Sequence, residues 1–396
     1  MKKLLSFLLV VLLTLSLFTA CSAPAAKDGT STSENASKSV KVGVLAPLTG
    51  ANAEFGKGFE VAMTMAMNEV NAAGGINGRT MELVFQDSKG DAKESSDLCR
   101  KYVDNDEIVA VLGDFTSTAC MADAPIVKDA EMAILSPTAS NPAFTEMNDC
   151  TFGIIGKQDA DSRYYARYVL QEYAGVDNIG IIYIESDWGN AAMSNFVDEA
   201  EKIGLNIVET ASFVQDEKDF SSIITKMKAA NPDHVAIMDQ GATAQIINQI
   251  RASGWDVSLS TNGPGTSQQL IDLCGKNCEG LLLTTPFFFD PENEREMSWR
   301  DEFTDRAGFA PTVHSVNAYD CALLIAEAIR QCGDDISRKN VRDKLAAIDF
   351  SGGLTGRIQF DEAGSLDRRY IICEIVDGEY VKRAGYDYPE QVAAGK

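Results

Sequence analysis

Two short clusters of hydroxyl-bearing residues are the strongest candidates for chemistry in this sequence. Ser117 and Thr118 follow one apolar run, and Thr138 and Ser140 follow the next apolar run. The carboxyl ends of neighbouring parallel strands open into one crevice, where ligands bind. Hydroxyl groups and free backbone N–H groups at a helix start can hold an anion. We therefore predict that both clusters bind the carboxylate of a small ligand, although ordinary helix capping would account for either one alone.

The overall charge excludes two classes of partner. The chain has 58 acidic and 35 basic residues, and its formal net charge is −23. Such an acidic protein repels nucleic acids and anionic membrane surfaces. We therefore expect no nucleic-acid partner, and an anionic ligand group must be held by local donors that act against the overall field.

The cysteines and histidines indicate neither a metal site nor a cofactor site. The sequence has only two histidines and no CxxC pair, which makes a zinc site an unsupported hypothesis. Eight cysteines besides Cys21 permit disulfides outside the cytoplasm, for example between Cys274 and Cys278, but buried free thiols explain them equally well. No nucleophile elbow, Walker loop or dinucleotide motif is present, so we expect a protein that is not an enzyme.

The N-terminal residues predict export and lipid attachment. A positively charged start, an apolar run and small residues precede Cys21, a pattern that resembles a bacterial lipoprotein signal peptide over 1–20. The acylated Cys21 would then be the first mature residue, and an uncleaved membrane anchor is the alternative. Residues 21–39 have no large apolar side chains and predict a flexible tether. We expect the globular part to lie on the outer face of the cytoplasmic membrane.

From Val40 onward, apolar strand patterns alternate with amphipathic helix patterns. This alternation predicts an α/β fold with doubly wound parallel sheets. The chain is too long for one typical domain, so we expect two lobes. One of the later helices is predicted over 319–331.

The order of the motifs resembles the branched-chain amino-acid substrate-binding proteins of ABC transporters. The resemblance extends from Val40 to about Val381 and rests on PLTG, GGINGR, QDSKGD, SPTASNPAF, SDWG, EGLLLTTPFF and FDEAGS. It implies the type I periplasmic-binding fold, with two lobes joined by three crossovers. The first lobe would contain 40–157 and 287–368, and the second 158–286 and 369–396. A monomer that closes on its ligand and then docks on an ABC permease complex is the implied behaviour.

The same resemblance assigns roles to particular residues. Ser117 and Ser140 match positions that bind the ligand carboxylate, with Thr118 beside the first. Thr138 matches a position whose carbonyl accepts from the ligand ammonium group.

The resemblance also implies aromatic contacts to the ligand side chain. Phe55 and Trp188 match two aromatic positions, and His314 falls near a third. A satisfied histidine at the surface or in the hinge is an equally good interpretation of His314.

The sequence departs from the resemblance where an acidic residue usually binds the ammonium group. The loop 260–267 has Gly263 at that place and no carboxylate. Asp239, at an adjacent strand end, or Asn262 could replace it, but Asp239 could also be a helix cap. This departure lowers the preference for a zwitterion, but the resemblance still implies an amino acid of branched-chain or related type as the ligand. A carboxylate or amide without an ammonium group stays open, and so does a sensory role in which the binding protein serves a signalling partner.

Overall fold

The computed structural model describes residues 39–263 and 266–383. The predicted signal peptide, Cys21 and the predicted tether up to residue 38 lie outside the described residues. No helix in the described ranges is long and apolar enough to cross a membrane.

Within these ranges, twelve strands form two separate sheets. The strands are β1 (Val40–Ala46), β2 (Met81–Asp87), β3 (Ile108–Leu112), β4 (Ala133–Ser136), β5 (Thr151–Gly153), β6 (Asn178–Ile184), β7 (Asn206–Phe213), β8 (His234–Met238), β9 (Ser258–Thr261), β10 (Leu282–Thr285), β11 (Ile371–Val376) and β12 (Glu379–Lys382).

Helices fill most of the connections between the strands. They are α1 (Ala53–Ala72), α2 (Ala92–Val103), α3 (Ser117–Asp129), α4 (Pro142–Glu146), α5 (Gln158–Tyr164), α6 (Asp187–Ile203), α7 (Ser221–Ala230), α8 (Thr243–Ala252), α9 (Gln268–Cys274), α10 (Glu294–Ala307), α11 (Val313–Gln331) and α12 (Arg338–Ala346). A π-helical stretch, Tyr165–Ala174, continues α5.

The five-stranded sheet has the order β2-β1-β3-β4-β5, and all its pairs are parallel. Helices α1 and α11 pack on one face, and α2 and α3 pack on the other. Because both faces are covered, β3 and β4 are buried along their whole length, which explains their continuous apolar sequences. We call this sheet with its helices the first lobe.

The seven-stranded sheet has the order β12-β11-β10-β9-β8-β6-β7, and we call it, with its helices, the second lobe. Strands β6 to β10 pair in parallel, but β11 pairs antiparallel with β10 and with β12. The sheet is thus mixed, not purely parallel as the sequence alternation predicts. The Asp377-Gly378 turn, where both residues have positive φ, joins β11 and β12 in a tight hairpin.

The core of the first lobe draws its side chains from 40–154 and 299–366, and that of the second lobe from 160–283 and 370–375. The chain therefore passes between the lobes three times. Two of these connections contact each other, because Arg368 Nε donates to the Ile154 carbonyl at 2.9 Å and the Tyr370 hydroxyl donates to the Lys157 carbonyl at 3.0 Å. The lobe boundaries predicted from the sequence stay a proposal.

Candidate functional site

A small cavity of about 30 Å³ lies between the two lobes, at the carboxyl ends of their strands. We call it the inner cavity. Its lining comes from both lobes: Phe115, Thr138, Ser140, Ile155, Asp161, Trp188, Gln240, Gly263, Thr284, Pro286, His314 and Tyr370. A larger space of about 590 Å³, the outer cleft, is lined by Thr118 and Asp239 among others. Gln240 lines both spaces, so they are neighbours.

The hydroxyl groups after β3 have different roles: one caps a helix, and another lies at the outer cleft without a partner. Thr116, not Ser117, is the N-cap of α3, and its Oγ1 accepts from the Ala119 N–H at 3.2 Å. The Ser117 Oγ accepts from the Asn141 N–H at 3.4 Å and lines neither space. Thr118 Oγ1 is buried without a hydrogen-bond partner in the described part of the chain. Capping therefore accounts for Thr116 but leaves the Thr118 hydroxyl unused.

Both predicted residues after β4 line the inner cavity. The Thr138 hydroxyl donates to the Phe115 carbonyl at 2.7 Å, so its proton is already committed. The Ser140 Oγ accepts from the Trp188 Nε1–H at 3.0 Å. A serine hydroxyl can accept and donate at the same time, so the Ser140 proton remains available for a ligand carboxylate.

Three rings form an aromatic cluster on the first-lobe side. Phe55 stacks on Phe115 with ring centroids 4.5 Å apart, and His314 meets both edge-on at 5.2 and 5.7 Å. Phe115 and His314 line the inner cavity, whereas Phe55 lies behind them beside a separate small cavity. Phe115 is absent from the sequence prediction, although it directly precedes the first hydroxyl cluster.

His314 lies in the first turn of α11, in the interior, and not at the surface. Burial lowers its pKa to about 3, so the imidazole is neutral at physiological pH. Its Nδ1 has no hydrogen-bond partner among the described residues. His314 can therefore offer a neutral polar atom to a ligand.

Trp188, in the first turn of α6, connects the two lobes. Besides the bond from its indole to Ser140, the neighbouring Asp187 carbonyl accepts from the Asn141 Nδ2–H at 3.1 Å. Both bonds join the start of α6 in the second lobe to the loop after β4 in the first lobe. The structure is therefore a closed arrangement at this side of the cavity.

Asp239 stabilises the turn that precedes α8. Its Oδ2 accepts from the Gly241 N–H at 2.9 Å, from the Thr243 hydroxyl at 3.1 Å and from the Ala242 N–H. These bonds fix the turn that starts α8. Asp239 lines the outer cleft but not the inner cavity, and its Oδ1 is buried without a hydrogen-bond partner among the described residues. Its predicted contact with an ammonium group stays a prediction.

A carboxyl group that the sequence prediction missed lies in the inner cavity. Asp161, in α5, has an exposed fraction of 8%, and its Oδ1 has no hydrogen-bond partner in the described ranges. Burial raises the pKa of Asp161 to about 6, while the polar side chains of Thr284 and Asn262 partly oppose the rise. The predicted Asn262 therefore lies next to the one acidic side chain that lines this cavity in the described part of the chain.

The cysteines in the described part of the chain form no disulfides. Cys99, Cys120, Cys150, Cys274, Cys278, Cys321, Cys332 and Cys373 are all buried free thiols. Burial, and not pairing, thus explains their presence. The described residues contain no group of three or more His, Cys, Asp or Glu side chains that could hold a metal ion.

The chain matches a known protein family over most of its length. A family model with the description "Periplasmic binding protein" matches residues 39–379. A Pseudomonas aeruginosa protein named leucine-, isoleucine-, valine-, threonine-, and alanine-binding protein is 25% identical over 336 residues, which cover 84% of this chain and 88% of that protein.

Solved structures share the architecture. The branched-chain amino acid transporter substrate-binding protein LivJ from Streptococcus pneumoniae, in complex with isoleucine, has a TM-score of 0.80 and 23% identity, and covers 87% of this chain and 100% of its own. An ABC transporter solute-binding protein from R. palustris, in complex with benzoate, has a TM-score of 0.81 and 19% identity, and covers 88% of this chain and 97% of its own. At these identities the likeness establishes the fold alone.

Proposed function

We propose, from the premise that this chain belongs to the periplasmic binding protein family, that it is the lipid-anchored substrate-binding protein of an ABC importer and binds an amino acid between the lobes, at the inner cavity, which must widen to hold it. Membership confirms the family resemblance and the type I α/β fold predicted from the sequence. It also confirms that the chain is a substrate-binding protein and not an enzyme, and it implies a location outside the cytoplasm.

One observation carries the proposal: the inner cavity has polar and aromatic groups from both lobes. Ser140 and His314 come from the first lobe, and Trp188 and Asp161 from the second. A ligand that contacts both lobes stabilises the closed state by its greater affinity for that state. Ligand occupancy would thereby be converted into a change of shape that a membrane permease can recognise.

Contacts beyond the cavity support a closed state that ligand binding can select. Glu54, in the first lobe, accepts from the Ser267 hydroxyl and from the Gln269 N–H at 3.3 Å, both in the second lobe. Such exposed or half-buried bonds are individually weak. They favour closure without fixing it, which leaves the ligand to decide the population of the closed state.

The carboxylate end of the ligand would bind at Ser140. The indole N–H of Trp188 donates to the Ser140 oxygen and leaves the hydroxyl proton free, as described above. A hydrogen bond to an ionised acceptor is about twice as strong as a neutral one. Phe115 and Trp188 supply apolar surface for the rest of the ligand.

A carboxylate without an ammonium group is the second candidate. The aromatic cluster of Phe55, Phe115 and His314 favours an aromatic carboxylate, because the ring of such a ligand would pack well against these rings. The benzoate-bound R. palustris neighbour has the same fold. A sensory role would use the same site.

The experiment is a thermal-shift screen of the purified full-length protein against amino acids, short carboxylates and benzoate. A ligand at a hundred times its Kd stabilises the folded state by about 2.7 kcal/mol. We expect at least one amino acid to raise the melting temperature, and a smaller rise in Ser140→Ala. If none of these compounds shifts the wild-type protein, the proposed function is wrong.

A further inference from the structure

On the second-lobe side of the inner cavity, three neighbouring residues have buried polar atoms for which the described chain offers no partner beyond one another. They are Asp161 Oδ1, Thr284 Oγ1, and Oδ1 and Nδ2 of Asn262. The exposed fractions of these residues are 8%, 0% and 1%. Buried polar groups in native proteins are nearly always hydrogen-bonded, because leaving them unpaired costs free energy. Three such residues at one place indicate that a partner from outside the chain satisfies them.

The charge of the cluster indicates the kind of partner. Asp161 is the one acidic residue among the described residues that line the inner cavity, and no lysine or arginine of the described chain lines it. The titratable groups near it are Tyr165, Tyr370 and the neutral His314, and none of these is a cation. The ionised carboxylate therefore lacks a counter-charge, and a cationic ligand group would provide one.

The donors and acceptors also match an ammonium group. An –NH₃⁺ group has three N–H donors and no acceptor. The cluster offers an acceptor oxygen from each of Asp161, Asn262 and Thr284. Gly263 also lines the cavity and adds no side chain to this wall.

We propose that Asp161, with Asn262 and Thr284, binds the ammonium group of the ligand and thereby selects an amino acid over the corresponding carboxylate without an ammonium group. This inference rests on the proposed function, because it concerns the other end of the same ligand. It assigns the ammonium to α5 and the end of β10, and not to Asp239, which lines the outer cleft but not the inner cavity.

Burial and its electrostatic consequence support the assignment. The raised pKa of Asp161 shows that the unliganded site disfavours the charged carboxylate. A bound ammonium group would remove this penalty, since an opposite charge at short range favours the ionised form. The ionised Asp161 therefore destabilises the unliganded protein, and a ligand with an ammonium group would remove this destabilisation.

The test compares matched ligands on matched variants of the full-length protein. The ligand pairs are leucine with 4-methylpentanoate, alanine with propionate, and serine with 3-hydroxypropanoate, each measured by titration calorimetry. The variants are Asp161→Asn and the control Asp159→Asn. Asp159 lies on the same helix, but it is paired with Arg163 at 2.9 Å and does not line the inner cavity.

We expect the wild-type protein to bind at least one amino acid more tightly than its partner acid by about tenfold or more. Asp161→Asn should remove this preference by weakening amino-acid binding, and Asp159→Asn should keep it. The unliganded Asp161→Asn protein should also have a higher melting temperature than wild type, which a purely structural aspartate would not produce.

The inference alone is overturned if Asp161→Asn retains the wild-type amino-acid affinity within about threefold, or if its unliganded form has a lower melting temperature than wild type. Equal wild-type binding of both members of every pair would overturn it as well. If the wild-type protein binds neither member of any pair, the proposed function fails, and the inference fails with it.

Discussion

Replacing Asp161 by Asn should make the unliganded protein more stable at neutral pH. The folded state raises the pKa of this carboxyl to about 6 from its ordinary value of 3.8, because the group is buried without a counter-charge. Each unit of difference between the folded and unfolded pKa corresponds to 1.36 kcal/mol, so the penalty at pH 7 is about 3 kcal/mol. Asparagine has nearly the same shape and no charge, and it should recover most of this free energy.

The penalty at Asp161 depends on pH, and this dependence determines how the stability advantage of Asp161→Asn changes with pH. Below about pH 4 the carboxyl is protonated in both states and contributes no penalty. Between about pH 4 and pH 6 the unfolded chain ionises while the folded protein stays protonated, so the penalty grows as the pH rises. Above about pH 6 both states are ionised and the penalty is constant. The advantage of Asp161→Asn should therefore be small in acid and reach its full size at neutral pH.

Chemical unfolding of the wild type, Asp161→Asn and Asp159→Asn at about pH 4.5 and pH 7 measures this effect. Asp159→Asn controls for the loss of a charge on the same helix. The reasoning is refuted if Asp161→Asn is less stable than wild type at pH 7, or if its advantage is the same at both pH values. Ligand must be removed beforehand, since bound ligand stabilises only the folded state.

Three other substitutions test separate parts of the site. Ser140→Ala should weaken ligand binding by about 1 kcal/mol or more through loss of a hydrogen bond; unchanged affinity by calorimetry would exclude Ser140 from the site. Asp239→Asn should lower the melting temperature through weaker hydrogen bonds in the turn before α8, with a loss of about 1 kcal/mol in stability, and leave amino-acid affinity nearly unchanged; the reverse pattern would make Asp239 a ligand residue. Cys21→Ser should abolish palmitate labelling of cells, and labelling that persists would contradict the predicted lipid attachment.

Local patterns were sufficient to predict the parallel strands and part of the site, but not the antiparallel pairing of β11 and β12. The continuous apolar runs of β3 and β4 require burial on both faces, and parallel strand ends bring the following residues together. Thr138 and Ser140, at the end of β4, both line the inner cavity, and their contact with a ligand stays a prediction. The same logic does not predict which of the two residues after β3 has an unused hydroxyl. The Ser117 Oγ accepts from the Asn141 backbone N–H, whereas the Thr118 hydroxyl has no partner in the described part of the chain.

Buried polar residues explain what the sequence could not predict. The sequence predicts a helix over 319–331, whereas α11 begins at Val313. The prediction misses the first turns because they are polar and yet lie in the interior, where the Asn317 side chain donates to the Pro137 carbonyl at 3.0 Å. Apolar periodicity does not register such turns. Likewise, Asp159 and Asp161 are two residues apart on one helix, and only the fold determines that Asp161 faces the cavity while Asp159 pairs with Arg163.

The most direct test of the account is a crystal structure of the protein with the tightest-binding amino acid of the screen. We predict that the ligand carboxylate lies at about 3 Å from the Ser140 Oγ, and that its ammonium nitrogen lies at about 3 Å from an oxygen of Asp161. A ligand bound in the outer cleft beside Thr118 and Asp239, away from Ser140 and Asp161, would contradict the account.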